Sequence, residues 1–234
     1  EVMGQVTGGV AHEFNNMLMG IQGNLELIGD EVEGDPNLKK LIEAVLESTQ
    51  RGKNLTRDLM VYSRQRVFSP QRINPRLMIE KTTENLSRLL GETYEIKAVV
   101  ADDVRDLFID AHELEGALLN LAVNARDAMA KGGVITVEVK NVSGEKPQSQ
   151  EAEENQVVIS LKDNGEGMAR EVLDHVFDPF FTTKEVGKGT GLGLSMVFGF
   201  TKQSGGRVEI QSHPGEGTIV SMFFPVALGE KEKS

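Results

Sequence analysis

The chain has 234 residues, with 36 Asp and Glu against 25 Lys and Arg, a formal net charge of -11, and neither Cys nor Trp. Without Cys, disulfides, thiolate zinc sites and cysteine nucleophiles are excluded, and a reducing, cytoplasmic setting is expected. The acidic balance argues against a nucleic-acid surface, which needs a basic field, and no apolar run approaches the roughly 20 residues that span a bilayer.

Apolar residues at Val2, Val6, Val10, Met17, Ile21, Leu25, Ile28 and Val32 recur at three- and four-residue steps, the mark of an amphipathic helix with a narrow seam. The pattern is already running at Glu1, so the expectation is a fragment whose upstream part is missing, with membrane contact confined to that part. Gly34-Asp35-Pro36 breaks the pattern, and Pro36 suits the first turn of a second helix through Leu38, Leu41, Ile42, Val45, Leu46, Leu55, Leu59 and Tyr62. One hairpin has a thin core. Pairing with a second copy into a four-helix bundle is therefore expected, against the alternative that the hairpin packs on the rest of its own chain.

Composition changes at Phe68-Ser69-Pro70-Gln71-Arg72, read as a boundary after residue 70, with Ser69 to Arg72 as a hinge. Asn74 to Leu90 reads as a helix capped by Asn74 with Pro75 at its first position. Residues 95–100 and 106–110 read as strands. Leu114 to Met129 reads as a helix closed by Lys131-Gly132-Gly133. Strands follow at 134–140 and 157–162, around a polar, acidic loop from 143 to 155. A helix at 191–203 leads through Gly205-Gly206 to strands at 207–211 and 218–224, then to a tail at 229–234 expected to be disordered. This order predicts an α+β chain: a helical hairpin over 1–70, then an α/β sandwich over 71–228.

Four stretches carry chemistry. In Ala11-His12-Glu13-Phe14-Asn15-Asn16, a nucleophile (His12) adjoins a carboxylate, and Asn16 follows one helical turn on. His12 falls off the apolar seam and is expected to face solvent. In Asn120 to Ala128, Asn120 and Asn124 share a helix face with Asp127, and an amide oxygen can ligate a hard cation such as magnesium. Asp163-Asn164-Gly165-Glu166-Gly167 follows a strand, where a carboxylate can accept from an exocyclic amino group and glycines let backbone approach a flat ring. Phe177-Asp178-Pro179-Phe180-Phe181-Thr182-Thr183-Lys184 precedes Gly187-Lys188-Gly189-Thr190-Gly191-Leu192-Gly193. Alternating glycines at a helix start can present N–H groups to an anion, and the stretch from Phe177 to Gly189 reads as a lid. Each has a bland alternative, respectively an exposed helix histidine, polar residues on a helix edge, a simple turn and a flexible loop. Gly215-Glu216-Gly217-Thr218 reads as a hairpin turn first and a ligand contact second. Neither the dinucleotide fingerprint, nor a Walker A loop, nor the protein-kinase signatures are present.

In this order the motifs resemble the sensor histidine kinases of two-component signalling, over nearly the whole chain from Gly8 to about Pro225. The resemblance implies a dimerisation and histidine-phosphotransfer hairpin followed by an ATP-binding domain of the type shared with gyrase and Hsp90. It implies His12 as the phosphorylated residue, Glu13 as its proton acceptor and orienter, and Asn16 as the group that aligns water when the protein dephosphorylates its partner. It implies ATP and Mg2+ as cofactors, with Asn124 as the metal ligand and Asn120 supporting the phosphates. Asp163 would read the adenine amino group beside Gly165 and Gly167, with Gly189, Gly191, Leu192 and Gly193 on the phosphates. Lys184, Arg126 and Thr218 are implied as further contacts. The partners implied are a second copy of the chain and the aspartate of a response regulator.

Two departures stand out. Met17 occupies the position five residues after the histidine where many members carry Pro, so a kink is less expected. Asp127-Ala128 stands where others have a basic and an aromatic residue, which leaves Lys184 or Lys188 to replace the basic contact. A gyrase-like or Hsp90-like hydrolase is disfavoured because Asn120 stands where those proteins place a glutamate base. A purely nucleotide-binding scaffold is disfavoured by His12.

Overall fold

The computed structural model describes residues 16–29, 35–63, 68–142, 156–184 and 189–227. They belong to two compact units, one drawn from Glu1–Val67 and Thr182–Leu192, the other from Phe68–Phe181 and Gly193–Ser234.

In the first unit, residues 16–29 are helical (α1) and α2 spans Pro36–Ser63. Asp35 starts α2: its Oδ1 accepts from the N–H groups of Asn37 (2.9 Å) and Leu38 (3.2 Å), satisfying donors that have no partner inside the helix. The two helices pack antiparallel. A methyl group placed on Gly52 would stand 3.1 Å from Leu18 Cδ1, and one on Gly29 3.9 Å from Ile42 Cγ2. The inward face therefore runs through Leu18 on α1 and Ile42 and Thr49 on α2, the latter two buried. Ile42 belongs to the seam read from the sequence for α2, whereas on α1 the inward residue is Leu18, one position past the expected Met17. Met17, Ile21 and Ile28 on α1 and Leu38, Leu41 and Val45 on α2 remain exposed, so each helix carries a second apolar stripe that the hairpin does not cover.

The second unit is an α/β sandwich. Its main sheet has the order β2-β4-β5-β7-β6, built from β2 (Tyr94–Val100), β4 (Gly133–Asn141), β5 (Gln156–Asp163), β6 (Arg207–His213) and β7 (Gly217–Pro225). Only β2 and β4 run parallel, joined by a crossover through β3 (Leu107–Ile109) and α4 (Ala111–Asp127). Residues of β4 and β7 alternate as a one-sided sheet requires, while the central β5 is buried at successive positions. Ile135, Val137 and Val139 of β4 and Val220, Met222 and Phe224 of β7 are buried, in one core with Ile79, Leu86, Leu114, Leu118, Leu121, Val197 and Phe200 of α3 (Pro75–Leu90), α4 and α6 (Gly193–Gln203). The opposite face carries Thr136, Glu138, Lys140, Ser160, Lys162, Glu209 and Ser221 around a shallow concavity of ≈ 430 Å³.

The caps follow the sequence: Asn74 accepts from Leu77 N–H at 3.2 Å with Pro75 leading α3. The segment expected as a hinge differs. Gln71–Ile73 is a strand (β1) paired antiparallel with β3, Ser69 N–H donates to Asp110 Oδ2 at 2.9 Å, and Ile73 is buried. Ser69 to Arg72 is thus tied into the second unit by backbone hydrogen bonds, which a pivot would have to break. A single-turn helix, α5 (Arg170–Leu173), also lay outside the sequence reading, and α6 begins two residues later than expected, because Gly191 takes φ 67° and cannot continue a right-handed helix. The acidic loop and the tail lie outside the described residues.

Candidate functional site

The site grows from the end of β5. Asp163 is buried at 6% exposure, with Oδ1 accepting from the N–H of Gly165 (2.8 Å) and of Thr218 (3.2 Å). Burial raises its carboxyl above the ordinary range, and these two donors pull in the other direction. Neither bond uses Oδ2, so that oxygen can accept from a ligand. Two donors on one oxygen also fix the plane of the carboxylate, which an exposed aspartate would not keep.

The loop after Asp163 is stitched to the β6–β7 turn. Gly215 N–H donates to Glu166 O at 2.7 Å, Met168 N–H to Ser212 Oγ at 2.9 Å, and Ser212 Oγ lies 2.9 Å from both Gly217 O and Thr218 Oγ1. Gly217, at φ 81°, lies so close to Asp163 that a Cβ there would come within 2.2 Å of its carbonyl oxygen. The Gly215 to Thr218 turn is therefore both the hairpin turn and the source of a donor to Asp163. Ser212 was missed by the sequence reading, which had Gly217 as part of the hairpin turn but not its close approach to Asp163. The usable signal was the Gly-Thr pair closing a hairpin, which puts one more N–H within reach of the neighbouring strand end.

Gly165 and Gly167 stand beside Asp163, with their tight packing turned toward the protein. A Cβ on Gly165 would meet Ala128 O at 2.8 Å, and one on Gly167 would meet His213 O at 2.0 Å. Their small size is required by close backbone packing in this fold, whatever a ligand adds.

Helix α4 supplies the next wall. Asp110 caps it, Oδ1 accepting from His112 N–H (3.0 Å) and Glu113 N–H (3.3 Å). Asn120 and Asn124 are half-buried on one face. Gly193, the first residue of α6, meets that face: a Cβ on it would lie 3.5 Å from Asn124 Nδ2 and 3.8 Å from Asn120 Cβ. At its other end α4 abuts the Asp163 loop, where Glu166 N–H donates to Ala128 O at 3.1 Å. One helix thus links the strand-end carboxylate to the α6 N-terminus, and a helix N-terminus favours an anion. Arg126 has its guanidinium on Asp127, Nε and Nη2 donating to the same Oδ1 at 2.9 and 2.8 Å.

Asn120, Asn124, Arg126, Asp163, Gly165, Gly167, Gly193 and Thr218 thus fall within the second unit. Lys184, Gly189, Gly191 and Leu192 fall within the first. There, a Cβ on Gly189 would meet Thr182 Oγ1 at 2.7 Å and Lys184 Cδ at 3.0 Å, so the ends of that loop are pinched together, and Leu192 is buried. Two of the aromatics before the loop, Phe177 and Phe181, are anchored, while Phe180 is exposed. Phe177 packs on Phe198 with ring centroids 5.3 Å apart, and His175, 2.9 Å from Asp178 Oδ2, packs on Phe181 at 5.5 Å. Asn16 is exposed at the start of the described part of α1. His12, Glu13 and Lys188 lie outside the described residues.

Among the described residues no three His, Asp or Glu side chains are grouped to hold a metal ion. The donor at hand is the Asn124 amide, a hard neutral oxygen that fits one position on magnesium, an ion that keeps several waters and bridges phosphates. Among the same residues no helix is long and apolar enough to cross a membrane.

Comparison with known proteins agrees with this arrangement. Residues 2–66 match the His Kinase A (phospho-acceptor) domain, and residues 109–228 match the Histidine kinase-, DNA gyrase B-, and HSP90-like ATPase family. The chain is 37% identical to Sensor kinase CckA of Brucella abortus (strain 2308), over 99% of this chain and 25% of that protein. It is 25% identical to Sporulation kinase E of Bacillus subtilis (strain 168), over 99% of this chain and 30% of that protein. It therefore spans about a quarter to a third of these relatives. Among solved structures, full-length ShkA in complex with AMPPNP shares the fold with a TM-score of 0.70 at 22% identity, over 96% of this chain and 46% of that one. Histidine kinase ThkA in complex with response regulator TrrA does so with a TM-score of 0.65 at 21% identity, over 97% and 62%. With a phospho-acceptor match followed by an ATPase match, the chain belongs to the sensor histidine kinases of two-component signalling.

Proposed function

We propose that the chain transfers the γ-phosphoryl group of magnesium-bound ATP to His12, and from there to an aspartate of a response regulator. The observation that carries this reading is the buried Asp163 carboxylate. It is fixed on one oxygen by Gly165 and Thr218 and joined through α4 to Asn120, Asn124 and the start of α6. Oδ2 of Asp163 accepts from the adenine amino group, Gly165, Gly167 and Thr218 hold that wall, and the Asn124 amide oxygen would hold Mg2+, which would supply charge neutralisation at the phosphates. Asn120 and Gly193 support the phosphates, and Gly189, Gly191, Leu192 and Lys184 are assigned to the same phosphates by their place in the glycine-rich motif. Phosphoryl transfer depends mainly on such positioning and neutralisation.

Around pH 7 much of a histidine side chain with the reference pKa of ~6.5 is neutral and can attack. The bond from an imidazole nitrogen to the γ-phosphorus forms as the bond from that phosphorus to the β,γ-bridging oxygen breaks. ADP leaves, and the proton on the other ring nitrogen passes to Glu13. The phosphoryl group then moves to the regulator's carboxylate. Asn16 aligns water for the reverse task of dephosphorylating the regulator. A regulator as partner is supported by the ThkA complex, and the apolar stripes on α1 and α2 support a homodimer in which a second hairpin covers them. The chain divides for these tasks into 1–70 and 71–228.

The test is incubation with labelled ATP and magnesium. The expected product is an acid-labile, base-stable phosphoprotein, absent from His12→Ala while nucleotide affinity stays within a few-fold. Label that survives acid, or that persists in His12→Ala, overturns the assignment.

A further inference from the structure

We propose that Asp127 sets how strongly nucleotide binding depends on a divalent cation: its carboxylate holds the Arg126 guanidinium, so phosphate charge must be met by the metal. The proposal rests on the nucleotide reading above. It begins with placement. Asp127 follows Asn124 by three residues and Asn120 by seven, so all three share a face of α4. The next residue, Ala128, touches the loop that begins at Asp163, and the Asn pair faces Gly193 at the start of α6. Asp127 therefore lies between the wall assigned to the base and the groups assigned to the phosphates.

A negative charge there opposes a polyphosphate. The Arg126 that could offset it is already engaged, two of its N–H groups converging on one Asp127 oxygen. For Arg126 to reach a phosphate, it must leave Asp127 and expose that carboxylate to the same phosphate. Arginine and carboxylate form directional, multiply bonded pairs, so this exchange is unfavourable. Both side chains are partly exposed, 42% for Arg126 and 26% for Asp127, which limits the pair's strength and sets the expected effect at several-fold. The neutral Asn124 amide adds no positive charge. With Arg126 held, α4 itself offers the phosphates no positive charge, and beyond the proposed Lys184 contact neutralisation falls to a metal ion.

The experiment titrates ATP by calorimetry into the chain, with magnesium present and with the metal chelated. Asp127→Asn, nearly isosteric, is expected to raise metal-free affinity about three- to tenfold and to raise affinity less with magnesium present. Adding Arg126→Gln is expected to abolish the metal-free gain. No gain from Asp127→Asn, or a gain that survives Arg126→Gln, overturns the proposal. A fall in affinity also overturns it, because the carboxylate would then contact the nucleotide itself. ATP binding to the parent chain with magnesium separates the two levels. Without it the nucleotide reading fails, and with it a silent Asp127→Asn removes this inference alone.

Discussion

Asp110 and Asp163 are both aspartates, both buried, and both accept backbone N–H groups, yet their carboxyls shift in opposite directions. At Asp110 burial also pushes the pKa up. Donors from Ser69, Glu113 and His112, with the nearby His112 ring, together outweigh it and hold the carboxyl below its ordinary range. At Asp163 only two donors answer a stronger burial, and the shift is upward. The first carboxylate uses both oxygens on its own fold, capping α4 and fastening the chain entering at Ser69. The second has both of its bonds on Oδ1 and none of them on Oδ2, which is the arrangement the proposed ligand-binding role requires.

The sharpest way to break this comparison is Asp163→Asn. The amide oxygen can still accept from Gly165 and Thr218, which turns the amide N–H₂ toward the ligand, donor against donor. Nucleotide affinity is expected to fall about 100-fold, the scale of one charged hydrogen bond. Thermal stability is expected to hold or rise, because the substitution removes a charge whose burial was incompletely compensated. A variant that binds normally, or unfolds early while binding normally, would make Asp163 a structural residue like Asp110.

Asp110→Ala is the converse, and its effect is on the fold. It leaves three N–H groups without their acceptor, a loss of about 2–3 kcal/mol for the cap and the Ser69 contact. At roughly 2–4 °C per kcal/mol for a domain of this size, the melting temperature should drop by about 5–10 °C. Nucleotide affinity, measured well below the melting point, should change little beside the loss in Asp163→Asn. An affinity loss without a melting shift would place Asp110 in the site.

Why one of these aspartates was legible in the sequence and the other was not has a local cause. Asp163-x-Gly-x-Gly at a strand end reads alone as a turn that favours Asp and Gly, and it stood out only through its order among the other motifs. Asp110 precedes a helix, as many caps do, and its bond to Ser69 spans 41 positions, which no local pattern carries. For the same reason β1 was read as a hinge: a three-residue strand has too little alternation to detect, and its partner Leu107–Ile109 is distant in sequence. The Asn120 and Asn124 face was readable from helical spacing alone. The reason for Gly165 and Gly167 was not, since Ala128 O and His213 O reach them from far along the chain. On α1 the seam was read one residue off, at Met17 rather than Leu18, because the sequence shows two neighbouring apolar stripes and does not say which one meets its own hairpin partner.

The opposite shifts make a smaller, pH-dependent prediction with opposite signs. Asp163 has its folded pKa above its unfolded value, so the folded state holds that proton more tightly. Its contribution to stability is fully present below the unfolded pKa, about 3.9, and is lost as pH rises through the folded pKa. Asp110 has its folded pKa below the unfolded value. Its contribution is present above about 3.9 and is lost as pH falls through the folded pKa. Denaturant midpoints across that acid range should therefore show any advantage of Asp163→Asn over the parent chain shrinking as pH falls, because both side chains become neutral. The deficit of Asp110→Ala should shrink as well, but at lower pH. ATP affinity should begin to fall at a pH above the ordinary carboxylate range, as Asp163 gains its proton and Oδ2 loses strength as an acceptor. If both stability differences collapsed together at one pH, the two carboxylates would be electrostatically alike, and the distinction between a group used by the fold and a group kept for a ligand would have to rest on geometry alone.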